Sequence, residues 1–294
     1  MNLIQLILQS GITVRELSPE DLISLKKVFI DMFIDIYRAC QKHGIHVMLS
    51  GGCCLGAVRH NGFIPWDDDM DIMLMRNDYK RLPNILFTEY GNKYQCVGPN
   101  ISKNTDMPFM HIEKTGTLLR SIYDKPNQET PIFIDAFPID NIPDNKLIRY
   151  FNAFVADGLH YIALCIKYYN YRECPFTRIL YSTKEGKKEI KRRLFIGRIC
   201  SIVTSHTKLF NLYDKFISRH SNTTKEVGVP CSRRYLREIY PRNIFFPTLN
   251  YPFENIIAPI PQNFDTYLTV LYGDYMKIPP LEKREKHYII DLKI

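Results

Sequence analysis

The chain has 294 residues, 45% of them hydrophobic and 24% charged, which suits a globular protein with a sizeable core and excludes a disordered or fibrous one. Its 39 Lys and Arg against 31 Asp and Glu leave a net charge of +8, so its surface should attract anions such as nucleotides, polyphosphates, acidic glycans or lipid headgroups. The eight cysteines (40, 53, 54, 96, 165, 174, 200 and 231) include no Cys-x-x-Cys and no Cys/His cluster at zinc spacing, so neither a thioredoxin-like motif nor a zinc site is expected. The opening "MNLIQLILQSGI" lacks the basic start of a secretory signal and reads as an amphipathic helix or the start of a strand. Reduced thiols and a cytoplasmic location, with a possible peripheral place at the inner face of the membrane, are the expectation.

The first well-signed element is a helix over "SPEDLISLKKVFIDMFIDIYRACQKHG". Ser18 can cap it, Pro19 fits its first turn, apolar residues recur from Leu22 to Ile36 at helical spacing, and Gly44 ends it. "IHVMLS" is a short strand, broken by Gly51 and Gly52; "CCLGAVRH" has room for two helical turns and "NGFIPW" is a loop. "DDMDIMLM" resumes as a strand. "NDYKRLPNILFTEYG" reads as a capped helix that Pro83 kinks or interrupts. "YQCVG", "FMHIEKTGTLLRS" and "PIFIDAFPID" are spaced like strands of a small mixed sheet. From about Asn145 to about residue 220 the pattern is helical. The stretch "FNAFVADGLHYIALCIKYYNY" carries Asp157, His160 and Lys167, which fits a packed internal helix better than a membrane span. The tail from residue 226 reads as irregular and Pro-rich, with one helix at "NFDTYLTVLYG". The outline is α+β: a small mixed sheet with flanking helices over residues 1–143, then a helical and irregular region, 144–294, that completes the substrate site.

Asp67, Asp68, Asp69 and Asp71 crowd into five positions between Trp66 and an apolar run. In an extended strand Asp69 and Asp71 share one face while Met70 and Ile72 point into the sheet. Two carboxylates so placed repel, and a divalent cation or a raised pKa relieves them; hard oxygen ligands favour Mg²⁺ or Mn²⁺. A calcium loop fails, because Ile72 stands where its turn needs glycine and Asp78 where it needs Glu. An acidic loop in solvent is the bland alternative, and the apolar flanks argue against it. Phosphoryl transfer also asks for a third carboxylate and for amides that hold phosphate oxygens. Asp135, set among Ile132, Phe133, Ile134 and Phe137, is the candidate for the first; Ser50, Gly51 and Gly52, between strand and helix, are candidates for the second. Asp140 reads as a turn residue. "KEGKKEIKRRLFIGR", residues 184–198, has Lys184, Lys187, Lys188 and Lys191 near one helical face: either a solvated face or a peripheral contact with anionic membrane.

The run "GGCCLGAVRHNGFIPWDDDMDI" resembles the signature of the LicD family, the phosphocholine transferases that also include fukutin-related proteins, and "FIDAFPID" and "YGDYMKIPPLEKREKH" resemble its second and third blocks. The matches come in family order across residues 45 to 287. The resemblance implies a nucleotidyltransferase-like fold that uses Mg²⁺ (or Mn²⁺) and a CDP-alcohol donor, typically CDP-choline, and moves the phospho-alcohol to a sugar hydroxyl of a glycan or glycolipid acceptor. No nucleic acid is implied as a partner. Asp69 and Asp71 resemble the family's metal-binding pair and Asp135 its additional carboxylate, ligand or base; Gly51, Gly52 and Arg59 fall where the family contacts nucleotide or phosphate. Cys53 stands where Thr is common and Asn61 where Lys is frequent. Trp66 can stack on the base or pack the loop, and Arg284 and His287 can close over the diphosphate. Three other readings remain at this stage. A true nucleotidyltransferase releases pyrophosphate, a nucleotide-sugar glycosyltransferase places its Asp-x-Asp differently, and a glycan-binding relative is not catalytic.

Overall fold

The computed structural model describes residues 14–125, 128–181, 184–220, 223–284 and 288–294; "MNLIQLILQSGI" and His287, both singled out above, lie outside the described residues. After the two-residue strand β1 (Arg15–Glu16), the helix α1 (Pro19–Lys42) begins where the Ser18 hydroxyl accepts the Asp21 N–H and the Asp21 carboxylate accepts the Ser18 N–H. This capping box satisfies two of the amides a helix start leaves bare. Leu25, Phe29, Met32, Phe33 and Ile36 then line its buried face.

The next elements come in the expected order: β2 (Val47–Leu49), α2 (Gly51–His60), β3 (Asp71–Met75) and α3 (Arg76–Tyr90). Pro83 lies inside α3 without ending it. Burial of Tyr79 and Leu82 before it and Ile85 and Leu86 after it holds both halves on the core, against the loss of one helical hydrogen bond. Then come β4 (Tyr94–Val97), β5 (Met110–Lys114), β6 (Leu118–Ser121) and β7 (Ile132–Ile142).

The central sheet has the order β2-β3-β7-β5-β4, in which only β3 and β7 run parallel. Along β7 burial alternates. Ile132, Ile134 and Ala136 are fully buried in the main core, while Phe133, Asp135 and Phe137 are half-buried on the other face. The expected strand "FMHIEKTGTLLRS" is two strands, split at the Gly116 turn (φ +82°), and β6 leaves the central sheet altogether. It pairs instead with β12 (Tyr288–Lys293), which also pairs β1.

Residues 146–217 form the expected helical layer: α4 (Lys146–Asn170), α5 (Pro175–Tyr181), α6 (Lys184–Cys200) and α7 (His206–Ile217). No helix among the described residues is long and apolar enough to cross a membrane. α4 is not the wholly internal helix its composition suggests, since Leu147, Tyr150, Phe151 and Phe154 at its start are all more than 60% exposed. The tail is more regular than expected. β8 (Glu226–Gly228) and β9 (Ile239–Pro241) extend the far end of β7, and β10 (Leu249–Phe253) and β11 (Ile256–Ile260) form a hairpin ahead of α8 (Phe264–Tyr272). Pro252 and Pro259 disguise that hairpin in the sequence, yet a two-stranded ribbon leaves outer edges where a residue without N–H is tolerated. One contiguous apolar core draws on both halves of the chain.

Asp140 is not a turn residue. It lies within β7, 1% exposed, and takes a two-pronged bond from buried Arg76, both contacts at 2.6 Å. Arg76 donates its other arm to Asp214 of α7 at 2.7 Å, and Asn100 completes that carboxylate at 2.8 Å. The cluster rivets the helical layer to the sheet, because each buried charge needs the others. Arg76→Ala leaves two buried carboxylates without their cation and is expected to cost about 3–5 kcal/mol in a urea unfolding experiment; a loss under about 1 kcal/mol would contradict this role.

Candidate active site

Ser50 is extended at the start of α2 and makes no side-chain cap; its hydroxyl lies 3.1 Å from the Tyr267 hydroxyl of α8 instead. The Gly51 N–H donates to that same Tyr267 oxygen at 3.0 Å. Gly51 has φ +47°, and a Cβ there would sit 2.9 Å from Asp71 Oδ2; a Cβ on Gly52 would sit 2.7 Å from Asp67 Oδ2. The two glycines therefore let carboxylates lie against the helix start, where bare amides and the helix dipole favour negative charge. Of the expected phosphate cradle, Gly52 lines the cleft described below, whereas Ser50 and Gly51 are engaged by Tyr267 behind it.

Three backbone bonds set the position of Asp71, the first residue of β3. Its carbonyl accepts the Ser50 N–H at 3.0 Å, its own N–H donates to Cys53 Sγ at 3.3 Å, and the neighbouring Met70 carbonyl accepts the Asp135 N–H at 2.9 Å. Cys53, where a threonine was the family expectation, is thus a buried support for the strand start. In the parallel ladder Asp71 is the direct partner of Asp135. Burial, then the charges of Asp69, Asp135 and Asp67, push the Asp71 carboxyl well above its ordinary value; burial and then Asp69 do the same to Asp135. The register makes Asp71 and Asp135 neighbours, and Asp69 lies near enough for its charge to act on both.

On the other side of β7, His111 of β5 is the cross-strand partner of Asp135. Its Nε2 approaches Asp135 Oδ1 to 3.1 Å, but without hydrogen-bond alignment, so both buried atoms lack a hydrogen-bond partner among the described residues. Burial pushes the His111 pKa down to about 3, so the ring is neutral at neutral pH and lends the carboxylates no positive charge. It stacks on Phe133 at 4.1 Å, nearly coplanar. A cation near the aspartates, Lys26 of α1, donates to the Ile64 and Pro65 carbonyls at 3.1 Å each and lies in the field of Asp67, Glu254 and Asp68.

In front of the aspartates opens a cleft of about 350 Å³ lined by Asp67, Asp69 and Asp71 together with Tyr272, Asp274, Lys277 and Arg284. Arg59 and Trp66 also line it. Arg59 donates to the Tyr275 carbonyl at 2.8 Å and to His60 Nε2 at 3.0 Å, which ties α2 to the segment after α8. The Arg284 guanidinium lies 4.0 Å from the Trp66 ring centre, so one face of the only tryptophan is covered by a cation. Asp135 is not on the cleft wall and meets it through its strand neighbour Asp71. As the side chains stand, no group of three or more His, Cys, Asp or Glu among the described residues is gathered closely enough to hold a metal ion. The feature that bears on a cation is the raised pKa of the neighbouring Asp71 and Asp135 carboxyls, a conflict that a proton or a hard divalent ion relieves.

The comparisons bear on the same residues. Residues 44–156 match the LicD/FKTN/FKRP nucleotidyltransferase domain. Over 262 residues, 87% of this chain and 92% of the other, the sequence is 24% identical to the lipopolysaccharide cholinephosphotransferase LicD of Haemophilus influenzae. The chain carries a LicD-family domain. Two shorter likenesses, to proteins of Rickettsia prowazekii (37% identity; 30% of this chain, 37% of that one) and Rickettsia typhi (42%; 18% and 17%), cover less. Ser50 to Gly52, Arg59, Trp66, Asp69, Asp71 and Asp135 all fall inside the matched LicD domain, and Arg284 falls outside it.

Tyr267, His111, Lys26 and Glu254 were not singled out from the sequence. Glu254 accepts the Phe63 N–H at 2.9 Å and so braces the loop before the aspartates. His111 carried a faint signal, a lone imidazole in an alternating strand; the others act across separations that no local pattern encodes.

Because folded Asp71 and Asp135 hold protons more tightly than the unfolded chain, their contribution favours folding more as pH falls from neutral toward the ordinary carboxylate range, and less as pH rises. Asp71→Asn removes the repulsion. In the presence of a chelator at neutral pH it should melt above the wild type, and the gap should narrow as pH is lowered, by scanning calorimetry. A variant that melts lower at every pH would show the carboxylates are not in conflict.

Proposed function

We propose that the chain transfers a phospho-alcohol, phosphocholine in the first instance, from a CDP-alcohol to a sugar hydroxyl of a cell-surface glycan, lipopolysaccharide or teichoic acid. The observation that carries this reading is the pairing of Asp71 with Asp135 in register inside a LicD domain, in a chain similar along 87% of its length to a lipopolysaccharide cholinephosphotransferase. CDP-choline is the donor and a glycan or glycolipid the acceptor.

Asp69 and Asp71, with Asp135 as the third carboxylate, would hold Mg²⁺ (or Mn²⁺), which when bound neutralises charge on the diphosphate. The chain's own groups do the rest. Gly52 at the start of α2 offers backbone to the phosphate oxygens, and Arg59 and Arg284 supply planar cations in the cleft. Trp66, with Arg284 over one face, presents its indole for the cytosine base or holds the loop that carries the aspartates. The acceptor oxygen forms a bond to the phosphorus that bears the alcohol, the bond from that phosphorus to the bridging oxygen breaks, and CMP leaves. Asp135 takes or orients the hydroxyl proton. His111 packs behind that carboxylate, and Tyr272 and Asp274 shape the cleft. Residues 184–198 supply the peripheral contact with anionic membrane that a glycolipid acceptor calls for.

A nucleotidyltransferase with the same site would release pyrophosphate rather than CMP. Incubation with CDP-choline, CDP-ethanolamine, CDP-glycerol and CDP-ribitol, glycan acceptor and Mg²⁺ should release CMP with one of them, choline first, and no pyrophosphate from CTP. Asp71→Ala should lower that rate at least about a hundredfold with an unchanged circular dichroism spectrum. Retained activity in that variant would refute the site, and pyrophosphate release would refute the reaction.

A further inference from the structure

The helical layer between residues 146 and 217 lies mostly beyond the matched LicD domain, and on its outer surface basic side chains adjoin apolar ones exposed among the described residues. α6 is seated on α4 by one side. A Cβ on Gly197 would come within 2.1 Å of the Cys165 carbonyl oxygen, Ile190 is 1% exposed, and the Arg193 guanidinium stacks on Tyr168 at 5.2 Å. What remains outside is a stripe at helical spacing: Lys188, Lys191 and Arg192, then Phe195, Ile199 and Ile202, all exposed. Phe195 is 66% and Ile202 82% exposed, and Val203 beside it 87%.

α4 also has a bare apolar start. By helical spacing Leu147, Phe151 and Phe154 lie on the face that, three turns on, carries Cys165, where α6 covers it. α6 thus covers the far end of that face and leaves the near end bare, with Leu147 81% and Phe154 80% exposed. Apolar side chains exposed to this degree and grouped in this way mark an interaction surface. The adjoining charge selects the partner: residues 184–198 hold seven Lys and Arg against two Glu. A basic stripe that gives way along one helix to Phe and Ile has the make-up of an interfacial helix, with cations for anionic headgroups and apolar side chains for the acyl boundary.

We infer that this face docks on an anionic lipid bilayer in two parts, the basic stripe of α6 meeting headgroups while Phe195, Ile199, Ile202 and Val203, with the bare start of α4 beside them, enter the interface. The inference rests on the membrane contact proposed above and not on the transfer chemistry. The basic part attracts and is screened by salt; the apolar part anchors and is not.

The test is sedimentation of the full chain with vesicles of phosphatidylcholine alone and of phosphatidylcholine mixed with phosphatidylglycerol, at low and high salt, with CMP release from a soluble acceptor measured in parallel. Wild type should bind only the anionic vesicles, and part of that binding should survive high salt. Lys188→Glu with Lys191→Glu should weaken low-salt binding at least about tenfold, since each surface cation near such a membrane contributes about fivefold. Phe195→Ser with Ile202→Ser should keep most low-salt binding and lose the salt-resistant part. Both pairs are solvent-exposed, so melting temperature and CMP release should match wild type. No binding of wild type to anionic vesicles overturns the contact itself; salt-resistant binding unchanged in F195S/I202S overturns the insertion. A wild-type dimer that F195S/I202S dissolves assigns the face to a second copy and also overturns the inference.

Discussion

Everything at the site follows from carboxylates held closer together than they would choose. Strand register makes Asp71 and Asp135 neighbours, the turn before β3 adds Asp69, and Gly51 and Gly52 leave room for Asp71 and Asp67 at the start of α2. At contact distance, two like charges in a partly buried setting repel by about 4 kcal/mol, a large share of the roughly 5–15 kcal/mol by which domains are stable. His111 is buried and neutral, and Lys26 donates to two backbone carbonyls. Protonation is one relief of such repulsion and a bound cation another.

The rest of the fold holds that conflict in place and gives it a substrate. The rigid sheet denies the aspartates room to part, and the Arg76–Asp140–Asp214 cluster fixes the far end of β7 against the helical layer. From the other direction, the chain after β11 returns to the site: Tyr267 grips Ser50 and Gly51, the Tyr275 carbonyl takes Arg59, and Arg284 covers Trp66. The cleft therefore mixes carboxylates and an arginine from inside the LicD domain with Asp274, Lys277 and Arg284 from outside it. Among the described residues the helical layer takes no part in lining the cleft.

Much of this was legible in the residues alone. The Ser-Gly-Gly turn between strand and helix, the aspartates at a strand start and the isolated acid in an apolar strand are local patterns with local causes, and the structure shows each. The pairing of Asp71 with Asp135 was legible as chemistry but not as geometry, because burial pattern marks a strand without naming its neighbour. Tyr267 was beyond reach for a firmer reason: its hydroxyl serves Ser50 and Gly51 from more than two hundred positions away, and as a sequence symbol it is one of 19 tyrosines. Asp140 went the other way; at the end of "FIDAFPID" it read as a turn residue, and the buried arginine from α3 is what holds it within the strand. The β10–β11 hairpin was hidden by its prolines, which a central strand would not accept and an edge does.

The central claim is that Asp69, Asp71 and Asp135 hold one divalent ion against the diphosphate of a CDP-alcohol. A crystal grown with Mn²⁺ and CDP-choline, with data collected at the manganese absorption edge, tests it most directly. The account requires an anomalous peak at ordinary ligand distance, about 2.0–2.3 Å, from oxygens of Asp71 and Asp69, with Asp135 on the same ion and the diphosphate bridging to it. Manganese bound elsewhere, with these three carboxylates facing only solvent or one another, would contradict it.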